Sequence, residues 1–448
     1  MLDAAVVLRE GRIAAVVEPG DAAARGALDL GDLVLMPGLV DTHVHVDEPG
    51  RAEWEGFDTA TRAAAAGGVT TLVDMPLNSI PATTSVAALR AKREAAAGKL
   101  RVDCGFWGGI VPGNAGEIEG LAAAGVCGFK CFLVPSGVDE FPAVGEADLY
   151  QALPILARLG LPLLAHAELP APIAAAAASA RAGDPRRHAT WLASRPRAAE
   201  NEAVRLLIAL CAEFRGAVHV VHLASSDALP ELRAARDAFL PITVETCPHY
   251  LSFDAEAIAD GATAFKCAPP IREAANRERL WEALAEGDID LVASDHSPCP
   301  PAMKASGNGD FLAAWGGIAS LELSLAATWT GARARGLGAE DLARWMCAHP
   351  ARLAGLEARK GRIAEGWDAD FVAWDPDAEW TVDPGRLHQR HPLTPYAGRR
   401  LRGAVRMTVL RGQVVCEDGR VTGEPRGELL RRGAAAAPGG RRARLSSV

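Results

Sequence analysis

No stretch of about twenty apolar residues occurs in the chain, and that is the length a helix needs to cross a bilayer. The first residues lack the charged segment, apolar run and cleavage site of a secretory signal. Neither membrane insertion nor export is expected, so the cytoplasm is the expected compartment. Basic charge is also scarce: 47 Lys and Arg stand against 56 Asp and Glu, for a formal net charge of -9 at pH 7. A nucleic-acid partner is therefore not expected. The nine cysteines (Cys104, Cys127, Cys131, Cys211, Cys247, Cys267, Cys299, Cys347 and Cys416) form no CxxC pair and no regular spacing. They read as buried thiols of a reducing compartment. There is no GxGxxG or Walker phosphate cradle, no Ser/His/Asp order and no solenoid-period repeat.

What is present is material for a large core: 448 residues, 49% of them hydrophobic and 23% charged, enough for one large domain with a smaller one beside it. The chain opens in short β-like pieces, Ala5 to Leu8 and Ile13 to Val17, joined at Glu10-Gly11, a hairpin signature. Matching pieces return at Ala369 to Trp374 and Val405 to Cys416. Residues 1–36 and 352–424 are thus expected to form one small β-sandwich domain from the two chain ends. The basic stretch from 425 to 448 is expected to be a solvated, disordered tail.

Between the flanks, eight apolar strand candidates alternate with helical stretches: Val40 to Val46, Val69 to Asp74, Val102 to Trp107, Phe129 to Leu133, Leu161 to His166, Val218 to Leu223, Ile242 to Cys247 and Ile289 to Asp295. Eight such units close a (β/α)8 barrel of the TIM type, here residues 37–351. The overall class is α/β. An open doubly wound sheet would want a Gly-rich turn after its first strand, and none is present. Helices are expected in the gaps, among them Glu146 to Leu159, Glu202 to Phe214 and Ile318 to Thr328.

The ionisable residues at the strand ends form one set. His43 and His45 end the first strand, spaced so that both rings face one side. Lys130 lies on the fourth, His166 on the fifth, His222 on the sixth and Asp295 on the eighth. Paired histidines on a strand are more often packed side chains than ligands; the recurrence of ligand-type residues at further strand ends favours a metal. His219 lies an odd number of positions before His222 and should turn away, as a core or supporting residue. His249 is either a neighbour of the site or a turn histidine. Lys130 has two readings: a buried lysine paired with an acid, or an amine of lowered pKa that adds carbon dioxide and becomes a bridging carbamate ligand. Asp295 can hold a metal and also move a proton.

Longer motifs carry a resemblance. They include Glu48-Pro49-Gly50-Arg51, Asp74-Met75-Pro76-Leu77-Asn78-Ser79, Gly128-Phe129-Lys130-Cys131-Phe132-Leu133, Phe265-Lys266-Cys267-Ala268-Pro269-Pro270 and Ser294-Asp295-His296-Ser297-Pro298-Cys299. Through them most of the chain, from the HxH strand to Tyr396, resembles the cyclic amidohydrolases. The resemblance implies a binuclear centre of two divalent ions, usually zinc, held by His43, His45, the carbamate of Lys130, His166, His222 and Asp295. It also implies hydrolysis of the ring amide of allantoin to allantoate, a step of purine catabolism, in a homodimer or homotetramer. Asp47, Asn78 and Ser297, with backbone near Ala268 and Gly317, are the expected substrate contacts.

Relatives differ near the mouth. Dihydroorotases place an arginine where Asp47 stands, and hydantoinases and dihydropyrimidinases place a tyrosine within the stretch that here runs Val134-Pro135-Ser136-Gly137. Hydantoinase-type cyclic amide hydrolysis is the alternative activity. A metal-free barrel scaffold is the alternative of another class, and the filled ligand set speaks against it. The family also implies a strand or two before Ala4, so either the true start lies upstream or the small domain has lost an edge.

Overall fold

The structure, a computed structural model, describes residues 3–433. Parallel strands β4 (Leu39–Val44), β5 (Val69–Asp74) and β6 (Asp103–Phe106) form one sheet. Strands β7 (Gly108–Gly109), β8 (Phe129–Phe132), β9 (Leu163–His166), β10 (Val218–Val220), β11 (Ile242–Thr246) and β12 (Leu291–Val292) form a second. The two sheets are halves of one barrel. At one seam Trp107 separates β6 from β7, and Phe106 O and Gly128 O accept from Cys127 N and Gly108 N at 2.8 and 2.9 Å. At the other seam His45 N donates to His296 O at 2.8 Å and His296 N to His43 O at 3.3 Å. With β6 and β7 counted as one interrupted strand, eight parallel strands close the expected (β/α)8 barrel.

Every residue of β4 and β5 is buried, because helices cover one face and the packed barrel interior the other. The covering helices use small residues where they lie close: in Phe57–Ala66, Ala60, Ala63, Ala64 and Ala65 are fully buried. The entry to β4 is tighter still. A Cβ on Gly38 would stand 2.2 Å from Thr70 Oγ1, so only glycine lets β4 run beside β5 at this point. Helix ends carry their own stops, such as Ser85 accepting from Ala88 N at 3.2 Å and Gly160 closing Glu146–Leu159 in the left-handed conformation.

The flanks form the small β domain. Strands β1 (Ala5–Arg9) and β2 (Arg12–Val17) make the expected hairpin, with Glu10 and Gly11 at φ 51° and 76°, the left-handed pair that a two-residue turn needs. Strands β3 (Val34–Pro37), β13 (Phe371–Thr381), β14 (Arg400–Leu410), β15 (Gln413–Glu417) and β16 (Arg420–Val421) form an antiparallel sheet in the order β16-β15-β14-β13-β3. Ile13, Ala369, Phe371 and Val409 pack together between the hairpin and this sheet.

Two expectations are corrected. The helix expected at Ile318 to Thr328 runs instead over Ser324–Arg333, because Ile318 is drawn into a parallel bridge with His296. The expected tail is ordered at its start: Gly427 N donates to Leu100 O, and Glu428 O and Leu430 N bond to Cys104, all at 2.8 to 2.9 Å, with Leu430 buried. The unpaired edge of β6 and the residues just before it supply those partners. The rest of the expected tail, 434–448, lies outside the described residues.

One ionic cluster joins the two domains. Lys360 Nζ lies 2.6 Å from Asp103 Oδ2 on β6, 3.0 Å from Asp368 Oδ2 and 2.5 Å from Asp370 Oδ2, and all four residues are buried. The three carboxylates have the spacing of a cation site, and the lysine ammonium occupies it. Replacing Lys360 by Met leaves Asp370 without its counter-charge, while Asp103 and Asp368 keep Arg411 and Arg359, a loss of about 3 to 5 kcal/mol. Thermal unfolding followed by circular dichroism should show Lys360→Met melting several degrees below the parent; coincident melting curves would contradict this role.

Candidate active site

Each barrel strand that carries a candidate ligand delivers it at or just past its C-terminal end, except β8, where Lys130 is the second residue, and these side chains converge. The His43 and His45 rings lie 5.5 Å apart, His43 and His222 5.4 Å, and His166 and His222 4.7 Å. Asp295 Oδ1 is 3.2 Å from His43 Nε2 and 3.7 Å from His45 Nε2. His166 Nδ1 is 3.0 Å from His222 Nε2. Lys130 is fully buried, its Nζ has no hydrogen-bond partner, and its charge acts on His45, His166 and His222. The structure thus brings together all six residues singled out at the strand ends.

Burial sets the electrostatics. It drives the His45 and His222 imidazoles well below their usual pKa, helped by the neighbouring His43 and His166 rings, so both are neutral and carry free lone pairs. Burial likewise lowers the Lys130 ammonium to about 8, against the pull of Glu245 and Asp295. It raises the Asp295 carboxyl, against the His43 and Lys130 charges. The backbone is bent here as well. His222 at φ 41°, Asp295 at 46°, Asp47 at 66° and Asn78 at 68° all take a left-handed conformation unusual for side-chain-bearing residues.

Two carboxylates that the strand-end pattern did not single out hold the rings. Glu245 accepts a short hydrogen bond from His43 Nδ1 and, on its other oxygen, lies 3.0 Å from His219 Nε2. His219 is thereby a support behind His43, fastened in turn to Thr243 Oγ1 at 2.8 Å. Against the cost of burial, the His43 and His219 rings hold the Glu245 carboxyl well below its usual range. Glu168 lies 2.7 Å from His166 Nε2 and pairs closely with Arg195. The sequence signal for both was available: a carboxylate inside or just past an apolar strand requires a buried partner.

Three of the ligand-type groups end in orphaned buried atoms, Lys130 Nζ, His45 Nδ1 and His222 Nδ1. Neutral imidazoles and a carboxylate gathered in one buried place, beside an unpartnered lysine, are the donor set of a divalent-metal site. Beside them opens a cavity of about 350 Å³ lined by His45, His166, His222 and Asp295. Of the three expected substrate contacts, Asn78 and Ser297 line it and Asp47 does not. Asp47 is fully buried, and its φ of 66° ends the strand alternation that would have turned it to the same side as His43 and His45. His249 is buried next to Asp295 with neither ring nitrogen hydrogen-bonded.

The profile described as "Amidohydrolase family" matches residues 34–415. The chain belongs to the amidohydrolase family. An allantoinase of Streptomyces avermitilis is 53% identical over 431 residues, spanning 96% of this chain and 95% of that protein. An allantoinase of Arabidopsis thaliana is 47% identical, over 90% of this chain and 81% of its own length. Among solved structures, an L-hydantoinase (dihydropyrimidinase) from Arthrobacter aurescens superposes with a TM-score of 0.91 at 33% identity, covering 96% of both chains. A dihydropyrimidinase from Brevibacillus agri gives 0.87 at 29%, covering 97% of this chain and 96% of that one.

For this amidohydrolase, Glu245 is the group on which the orientation of His43 rests. Glu245→Gln keeps the shape but offers only one acceptor oxygen to two imidazoles. Zinc affinity measured by chelator competition should fall about 10- to 100-fold while the melting temperature of the metal-free protein stays close to the parent's. Unchanged zinc affinity would contradict the assignment.

Proposed function

We propose that the chain hydrolyses the ring amide of allantoin to give allantoate, in the cytoplasm and as a homodimer or homotetramer. The observation that carries the chemistry is the convergence of His43, His45, Lys130, His166, His222 and Asp295 beside one cavity. The choice of allantoin rests on relatives that bear the name allantoinase and match nearly the whole chain. The six residues would hold two divalent ions, zinc for preference, with Lys130 as the carbon dioxide-derived carbamate. Such ions polarise a carbonyl and make hydroxide available near neutral pH, which an unactivated amide requires.

The chain's own residues do the rest. Glu245 fixes His43 through Nδ1, so that Nε2 faces Asp295, and Glu168 does the same for His166 through Nε2, leaving Nδ1 toward His222. Asp295, oriented by Ser297 Oγ at 3.1 Å, takes a proton from the attacking water and returns it to the leaving ring nitrogen. Oxygen bonds to the carbonyl carbon, the C–N bond breaks, and one proton has moved from water to nitrogen. Asn78 and Ser297 offer hydrogen bonds along the cavity to a substrate rich in amide groups.

The test is the initial rate of zinc-loaded protein, purified with bicarbonate, on allantoin, hydantoin, dihydrouracil and dihydroorotate. Rapid turnover of allantoin with little on the other three is expected; preference for hydantoin or dihydrouracil would move the chain to the hydantoinase type and overturn the substrate. Asp295→Asn should keep the fold yet lose at least about 100-fold in kcat, since the proton carrier is gone. Turnover within a few-fold of the parent would contradict that role.

A further inference from the structure

Besides the histidines and Asp295, the cavity is lined by the consecutive residues Leu312 to Gly317 and by Lys266. Lys266 fastens that segment. Its Nζ donates to Leu312 O at 3.1 Å and more closely to Ala314 O, and its carbonyl accepts from Gly317 N at 2.9 Å. The Lys304 ammonium donates to the same Lys266 carbonyl at 2.8 Å. Lys266 Nζ also stands 4.3 Å from the centre of the Trp191 ring.

This is a costly place for a cation. Lys266 is 5% exposed, and among the described residues its hydrogen bonds and those of the Lys304 ammonium go to carbonyls alone. Burial, with the Lys304 and Arg195 charges behind it, pushes the Lys266 pKa down to about 7. Arg195, the other cation lining the cavity, is committed to Glu168. An ammonium has three donors, and the two carbonyls take two. The third belongs to a residue that lines the cavity, in a setting where an oxygen acceptor on a ligand gains a charge-assisted bond. Among the described residues, Asp310 is the one carboxylate whose charge supports this ammonium, and it makes no hydrogen bond to it; a buried charge so weakly partnered is poor for stability.

Given the allantoin reading above, one substrate oxygen separates allantoin from plain hydantoin. The ring amide belongs with Asp295 and the histidines and the other ring carbonyl is shared with hydantoin, whereas the ureido chain on the ring carries a third, neutral carbonyl that plain hydantoin lacks. We propose that Lys266 is the specificity-determining residue, its ammonium anchored by the carbonyls of Leu312 and Ala314 and donating its third N–H to the ureido oxygen of the substrate.

Kinetics of the full-length zinc-loaded protein test this, with allantoin as substrate and unsubstituted hydantoin as competitive inhibitor. In Lys266→Met, kcat/KM for allantoin should fall about 10- to 100-fold, mostly through KM, while Ki for hydantoin and the zinc content stay within twofold of the parent. Parallel losses for both ligands would reduce Lys266 to a fastener of the 312–317 segment and overturn the proposal; so would an unchanged KM for allantoin. Should Lys266→Met fail to fold, Lys266→Arg keeps donors for both carbonyls and displaces the third, and the same ratio of allantoin KM to hydantoin Ki decides. A parent protein that does not turn over allantoin would overturn the substrate reading and this inference with it, whereas a parent that does, with variants of unchanged selectivity, would overturn this inference alone.

Discussion

Desolvation inside a closed barrel governs this protein. Once eight strands seal with their ionisable ends gathered beside one cavity, water no longer supports the charges there, and each group has to be neutralised or partnered by the protein. His45 and His222 respond by staying neutral. Glu245 responds by staying charged between two imidazoles, and Lys130 by losing basicity, to a pKa of about 8, with no hydrogen-bond partner. The same burial that would be a defect in an ordinary core produces the lone pairs and the nucleophilic amine that the proposed chemistry needs. The left-handed backbones at His222, Asp295, Asp47 and Asn78 are consistent with strain concentrated at such a place.

The small β domain and its ionic joint bear on that arrangement indirectly. Strand β3 leads through Gly38 into β4, so the sheet formed by the chain ends fixes where the HxH strand begins. Lys360 and Arg411 converge on Asp103 of β6 from outside the barrel, and together, against the cost of burial, they hold its carboxyl below the usual range. The acid cluster resembles a metal site in its spacing, yet its partner is a lysine. Lys130, by contrast, has no such partner.

Much of this was legible in the sequence because strand periodicity is strict. Apolar runs bounded by turns located the eight strands, and the ligand-type residues at their ends were found by reading where each run stops. What remained hidden lay where periodicity ends. Asp47 was expected beside His45, but a left-handed residue after the strand breaks the alternation and buries it away from the cavity. Residues 312 to 317 form a wall that no local pattern announces, since contacts from Lys266 and Met303, distant in the chain, hold it there. Glu245 and Glu168 were visible as acids among apolar neighbours, but the imidazoles they serve lie 202 and 2 positions away, respectively. The ordered start of the tail depended on the open edge of β6, which composition alone does not reveal.

Everything proposed for this site depends on the six converging side chains making a binuclear metal centre. Metal analysis of purified protein by mass spectrometry, before and after chelation, tests it most directly. About two divalent ions per chain, activity lost with the metal and restored by zinc with bicarbonate, is the predicted result. Full hydrolysis by a protein stripped of metal would contradict it.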